Sequence, residues 1–282
     1  MKKIVSIVVF LFVLAPILLA QPVTKLKKTI TLTMPGVQGD NGTNGASVAY
    51  HPIQKKYYAA MAGNESYPMV VFDAKGKQLS ADDVTTGFDV RGLWYNSKTK
   101  SIEANGYYDY GWTKFNLDSK GIPAGNTPIF SGQHQPTDQV VGSFDAKNNC
   151  VYFLDGAYVL VYDYKTGEKK ELDKPTEETM YKNYLLSIKR DATTEEEASY
   201  NYLLPEKYNN SLVVFTEMPK AEFGLLNTET KQIELYDRAT GNLTKALQLP
   251  DDAICSTMFN FSYANKQFWL FDIDNRTWIG YK

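Results

Sequence analysis

Two histidines and two cysteines are the only imidazoles and thiols in 282 residues, and that scarcity removes several kinds of chemistry. His51 precedes Pro52 in a turn, and His134 sits in the loop Gly132-Gln133-His134-Gln135-Pro136. Acyl-transfer triads and His-rich metal sites need an imidazole aligned with a partner. Neither histidine comes with a nucleophile motif, and no Gly-x-Ser-x-Gly run exists, so both read as turn or surface residues. Cys150 and Cys255 lie far apart and form no Cys-x-x-Cys pair. Spacing does not show whether they meet, and a buried free thiol is the simpler reading of Cys150 inside Cys150-Val151-Tyr152-Phe153-Leu154. Hard oxygens are denser in Gly39-Asp40-Asn41-Gly42-Thr43-Asn44-Gly45. Asp40 and Asn44 there are candidate calcium ligands. The run lacks the alternating Asp series and the distant bidentate Glu of a dedicated calcium loop. It reads as a connector, so no cofactor is expected, with calcium the alternative.

The elements that must carry these residues are strands. A strand, a turn rich in Asn, Asp, Lys and Gly, and a second strand recur along the chain. The phrase reads Val48-Ala49-Tyr50-His51-Pro52 into Lys56-Tyr57-Tyr58, then Leu93-Trp94-Tyr95-Asn96-Ser97 into Ser101-Ile102. It returns as Gly142-Ser143-Phe144-Asp145-Ala146 before Cys150, and as Phe259-Asn260-Phe261-Ser262-Tyr263 before Gln267. A second hairpin follows, in which an apolar strand ends in Asp and turns through Lys and Gly. Examples are Val71-Phe72-Asp73-Ala74-Lys75-Gly76 and Val161-Tyr162-Asp163-Tyr164-Lys165-Thr166-Gly167. Asp caps such a turn with its own side chain, and Gly supplies the positive φ. Two hairpins per repeat make a four-stranded sheet. A repeat of roughly 40 to 50 residues built this way predicts an all-β, closed β-propeller.

Innermost strands are expected to begin near Val48, Leu93, Gly142, Tyr184, Leu212 to Leu225, and Phe259. That spacing favours six blades, with five the alternative. Residues 176–211 fit the repeat poorly and read as an insertion or a degenerate blade, with a short helix over Glu177 to Leu186. The last copy stops short of a fourth strand, and Thr29-Ile30-Thr31-Leu32-Thr33-Met34 alternates cleanly ahead of the first repeat. The N-terminal strand is therefore expected to complete the last blade and close the ring.

Met1-Lys2-Lys3, the apolar run Ile4 to Leu14 and the small residue Ala20 form the pattern of a cleavable secretory signal over 1–20. The remainder, 21–282, is expected to be one propeller domain, secreted or periplasmic, with no membrane span after cleavage and no second chain required. Net charge is −2, which offers no electrostatic footprint for nucleic acid.

Motifs such as Tyr162-Asp163-Tyr164-Lys165-Thr166-Gly167 make the chain resemble the broad NHL, TolB and lactonase-like class of secreted bacterial propellers. The resemblance covers most of residues 29–282 and lies at the level of the fold. In a propeller, the connectors leading into the innermost strands gather at one mouth of the central channel. Asp89, Arg91 and Asp138 are expected there, joined by Tyr107, Tyr108 and Trp112 from neighbouring loops. Convergent polar groups with aromatics are what a ligand site requires, and Arg91, one of four arginines, is suited to an anionic group. The expected function is non-catalytic binding of a small molecule, glycan or protein at this face. The alternative implied by the resemblance is a divalent-metal, lactonase-like hydrolase using oxygens near Asp40, Asn44, Asp89 and Asp138.

Overall fold

The computed structural model describes residues 23–170, 184–188 and 204–282. The expected leader over 1–20 lies outside these residues. Among the described residues, strands dominate, the helical element is one 3-10 turn at Tyr108–Tyr110, and no helix is long and apolar enough to cross a membrane.

Two short N-terminal strands, β1 (Thr24–Lys25) and β2 (Lys28–Thr33), precede the repeats. The first blade is β3 (Asn44–His51), β4 (Lys56–Ala62) and β5 (Met69–Asp73). The second is β6 (Val90–Asn96), β7 (Ser101–Gly106), β8 (Trp112–Leu117) and β9 (Pro123–Phe130). The third is β10 (Ser143–Asp145), β11 (Cys150–Asp155), β12 (Tyr158–Asp163) and β13 (Tyr184–Leu185). The fourth is β14 (Val214–Phe215), β15 (Phe223–Asn227), β16 (Gln232–Tyr236) and β17 (Leu243–Gln248), with β1 added in parallel outside β17. The fifth is β18 (Phe261–Ala264), β19 (Gln267–Asp272) and β20 (Thr277–Tyr281), with β2 as its outer strand. Apart from β1, consecutive strands of each sheet pair antiparallel.

The innermost strands neighbour one another in the ring order β3, β6, β10, β14, β18 and back to β3. The sheets remain separate ladders, and the ring is held by packing between them. Five apolar clusters fill five junctions: blades 5 and 1 meet on Trp269, Phe271 and Trp278 against Tyr57 and Phe72, and blades 2 and 3 on Trp94 and Trp112 against Phe153. Blades 1 and 2, 3 and 4, and 4 and 5 have a cluster each. Large side chains suit this role because a sheet face packed on a twisted neighbour leaves a deep gap to fill.

The class is an all-β propeller, as the repeats imply, and the described residues hold five blades, not six. Tyr184 begins no blade; it pairs back onto Val159 as the outer strand of the third. The one innermost strand between 212 and 225 is β14, and Phe223 starts its partner. The predicted helix over Glu177 to Leu186 gives way to that outer strand at 184–185, and its earlier residues lie outside the described set, as does most of the expected insertion.

The predicted Asp turns form as the sequence implies. Asp73 Oδ1 accepts from the Lys75 and Lys77 amides at 2.8 and 2.9 Å, and Asp118 Oδ1 from Lys120 and Ile122 at 2.8 Å each. Gly76 and Gly121 take the positive φ of 84° and 71° that the turn demands.

Candidate functional site

The ring has two faces. At the upper face, connectors lead into the innermost strands; at the lower face, those strands end. Polar residues converge on the upper face, and several of them hold the blades together. Asn105 Oδ1 accepts from the Gly142 amide at 2.9 Å, and its Nδ2 donates to the Val140 carbonyl at 2.9 Å, joining blades 2 and 3. Asn260 Oδ1 accepts from the Gly45 amide at 2.7 Å, and its Nδ2 donates to Asn44 at 2.9 Å, joining blades 5 and 1. Asn209 Nδ2 donates to the carbonyls of Ser256 and Phe259 at 2.8 Å each.

Asp89, Arg91 and Tyr107 come together here, as expected, but around each other. Arg91 is 4% exposed. Its guanidinium grips both oxygens of Asp89, Nε donates to Gln139 at 3.1 Å, and Nη1 donates to the Val90 carbonyl at 3.2 Å. Asp89 Oδ1 also accepts from the Gly63 amide of blade 1 at 2.8 Å. The cation lies 4.7 Å from the Tyr107 ring centre and 5.4 Å from that of Phe259. Phe259 leads into the fifth blade, which does not adjoin the second, so this contact links two non-neighbouring blades. Asp138 is half-buried on the connector beside Gln139, and Tyr108 is exposed on the 3-10 turn. Trp112 is fully buried between blades 2 and 3, where Phe130 and Tyr164 flank it.

Asn44 is engaged by Asn260, and Asp40 is exposed on its loop. The carbonyls of that connector face a protein cation. Arg276 donates to Pro35 at 2.9 Å, to Asn41 at 3.1 Å and to Gly42. Burial lowers the Arg276 pKa from its usual value. Among the described residues, no group of three or more His, Cys, Asp or Glu side chains is placed to hold a metal ion. Cys150 and Cys255 are free thiols in different clusters, each pushed up to about 11 by burial, so neither is an activated nucleophile. His51 is buried, not superficial. Its ring faces Tyr95 with centres 4.7 Å apart, Nδ1 accepts from the Gln54 amide at 3.3 Å, and Nε2 lies 3.2 Å from the Lys100 carbonyl. That pairing fits the neutral Nε2–H tautomer. His134 lies between the carbonyls of Gly167 and Ser131.

The lower face is where the channel opens. A cavity of about 870 Å³ rises between the innermost strands, within the size range of ligand sites. Tyr50, Tyr95, Phe144, Phe215 and Tyr263 line its mouth, one from each blade. Four sit one residue before the end of their innermost strand, and Phe215 is the last residue of β14, one step before the Thr216–Glu222 backbone hydrogen bond: Tyr50 opposite Tyr57, Tyr95 opposite Ile102, Phe144 opposite Val151, Phe215 opposite Phe223 and Tyr263 opposite Phe268. Each leans toward the preceding blade, as His51 against Tyr95 and Tyr152 against Phe215 illustrate. All five are half-buried and line the opening. Burial raises the Tyr95 pKa, and burial together with the nearby Glu217 pushes Tyr263 up to about 12. These hydroxyls stay neutral and able to donate. Above the collar the lining is Val48, Leu93, Val141 and Leu212, with Ser47 and Ser262 bonded to each other at 3.0 Å.

Sequence reasoning did not find this collar, although its signal was present. Three of its rings, Tyr50, Tyr95 and Phe144, stand third in their copies of the repeated phrase, and Tyr263 closes the last copy, each shortly before the turn. No protein-family model matches the chain, and no curated protein matches it in sequence. Among solved structures it is similar to a nidogen/laminin complex chain (9% identity, covering 81% of this chain and 70% of that chain, TM-score 0.43). It is similar to the glutaminyl cyclase of Myxococcus xanthus (8%, 93% and 98%, TM-score 0.49) and to a streptogramin B lyase (15%, 87% and 65%, TM-score 0.39). The propeller class rests on the blade topology of this chain.

Proposed function

We propose that the protein is a non-catalytic binding module that takes its ligand in the cavity of the lower face. The observation that carries this reading is the collar: one half-buried aromatic per blade, at one register, around an open cavity. Aromatic residues favour strands for packing alone, but a ring needed only for packing gains most when fully buried. Five equivalent rings that stop short of burial instead leave apolar and π surface for a guest, with three tyrosine hydroxyls to orient it. The upper face supports binding less well, because the Arg91 donors that would hold an anion are taken by Asp89, Gln139 and the Val90 carbonyl. In this proposal the chain is exported by the leader over 1–20 and works as a monomer without a cofactor. The test is a thermal-shift panel of small molecules, glycans and peptides on the purified protein, repeated on Tyr50→Ala and Phe215→Ala. A ligand should raise the melting temperature of the native protein and lose that effect in both variants. A ligand whose effect survives both would place binding elsewhere.

A further inference from the structure

Resting on that binding reading, the geometry points to one class of guest: an elongated amphipathic anion, with an aromatic or otherwise rigid apolar body and an acidic head. Three observations lead there. The deep lining is mainly apolar, from Val48, Leu93, Val141 and Leu212, and the hydroxyls of Ser47, Ser143 and Ser262 beside them are already bonded to protein partners, so a polyhydroxylated body finds little there. The cavity is also not confined to the axis. Thr24 of β1, Lys245 and Leu247 of β17, and Phe268 of β19 line it too. β1 and β17 are the outer strands of blade 4, so the cavity branches outward between blades 4 and 5 and accepts a guest longer than the channel is wide.

The third observation is charge. Three lysine side chains and one glutamate line the cavity: Lys245, Lys266, Lys282 and Glu217. All four are exposed. Lys245 and Lys282 belong to the outward branch, and Lys266 stands in the hairpin turn of blade 5. None of the three lysines is engaged in an ion pair within the described residues, whereas Lys28 at the same blade edge is held by Asp252 at 2.6 Å. The chain as a whole is slightly acidic, whereas the charged side chains lining this cavity are three lysines, without an ion pair among the described residues, to one glutamate, a local excess of basic side chains. Such an excess favours an acidic head at the branch while the apolar body sits against the collar.

Isothermal titration of the purified protein tests this with 2-naphthoate, its uncharged counterpart 2-naphthalenemethanol, and digalacturonate as an acid without an apolar body. The companion variant carries Lys245→Gln, Lys266→Gln and Lys282→Gln together. All three positions are exposed, and its melting temperature confirms folding. Naphthoate should bind the native protein, weaken with rising salt, and lose about tenfold in affinity in the triple variant. The neutral alcohol should bind more weakly and equally to both proteins. Equal binding of acid and alcohol to both, or binding of digalacturonate alone, overturns the inference. A neutral panel ligand that needs Phe215 while naphthoate stays silent also overturns it, and leaves the binding reading standing. Silence of every ligand overturns both.

Discussion

Two guanidinium groups show how this chain uses its few arginines as fasteners. Arg276 satisfies the carbonyls of Pro35, Asn41 and Gly42 in the connector ahead of the first blade. Arg276→Ala leaves those acceptors without a donor, at about 3 kcal/mol. Urea denaturation should show that loss, with no recovery on adding calcium. Arg91→Ala strands the Asp89 carboxylate, whose side chain is 14% exposed, and should cost about 2–3 kcal/mol while ligand affinity holds. The double change with Asp89→Asn should recover part of it. The clustering of Asp89, Arg91 and Tyr107 was legible in the sequence, because propeller topology brings those connectors together. Their roles were not, because spacing does not reveal whether a donor is already saturated. Trp112 misled for a related reason: it opens a strand, but the side chain turns inward between blades. His51 carries a pH consequence. Burial holds its pKa below the ordinary 6.5, so the unfolded chain takes up a proton that the fold resists. The stability it lends is present above about pH 6.5 and falls away as pH drops through the folded value. His51→Gln should flatten that part of the pH–stability profile relative to the native protein; parallel profiles would contradict the assignment.

At the scale of elements, the hairpins were the most legible feature. Their Asp-capped turns repeat the same local chemistry at Asp73, Asp118, Asp163 and Asp237. Asp118→Ala should cost about 1 kcal/mol by freeing two turn amides, read as a shift in the urea midpoint. The blade number was misjudged where strands are shortest. Tyr184–Leu185 and Val214–Phe215 are two residues each, too short for alternation to announce which is inner and which outer. The collar escaped notice because the repeated phrase was read for its turns. Its aromatic, standing next to the turn in copy after copy, is the element that each blade contributes to the cavity.

At the scale of the molecule, the N-terminal segment binds two blades at once. β1 pairs in parallel with the outer strand of blade 4, and β2 pairs with the last strand of blade 5. Leu26 donates to Gln248 at 2.8 Å and Lys27 to Lys282 at 2.9 Å between them. This was foreseen in part: the clean alternation of Thr29 to Met34 foretold the pairing in blade 5, whereas two residues at Thr24 gave no sign of the second grip. Deleting 21–36 uncovers the edges of both sheets and part of the Trp269–Trp278 cluster. The expected result is loss of cooperative thermal unfolding for the whole propeller. An unchanged melting temperature would show that the ring does not depend on this clasp.

The central claim, that the lower collar and not the upper mouth is the binding site, is tested most directly by one paired titration. The affinity of a panel ligand is measured by calorimetry on Phe215→Ala, at the lower face, and on Tyr107→Ala, at the upper. The account predicts that Phe215→Ala weakens binding by about tenfold or more and that Tyr107→Ala leaves it unchanged. Affinity that falls with Tyr107→Ala and survives Phe215→Ala would contradict it.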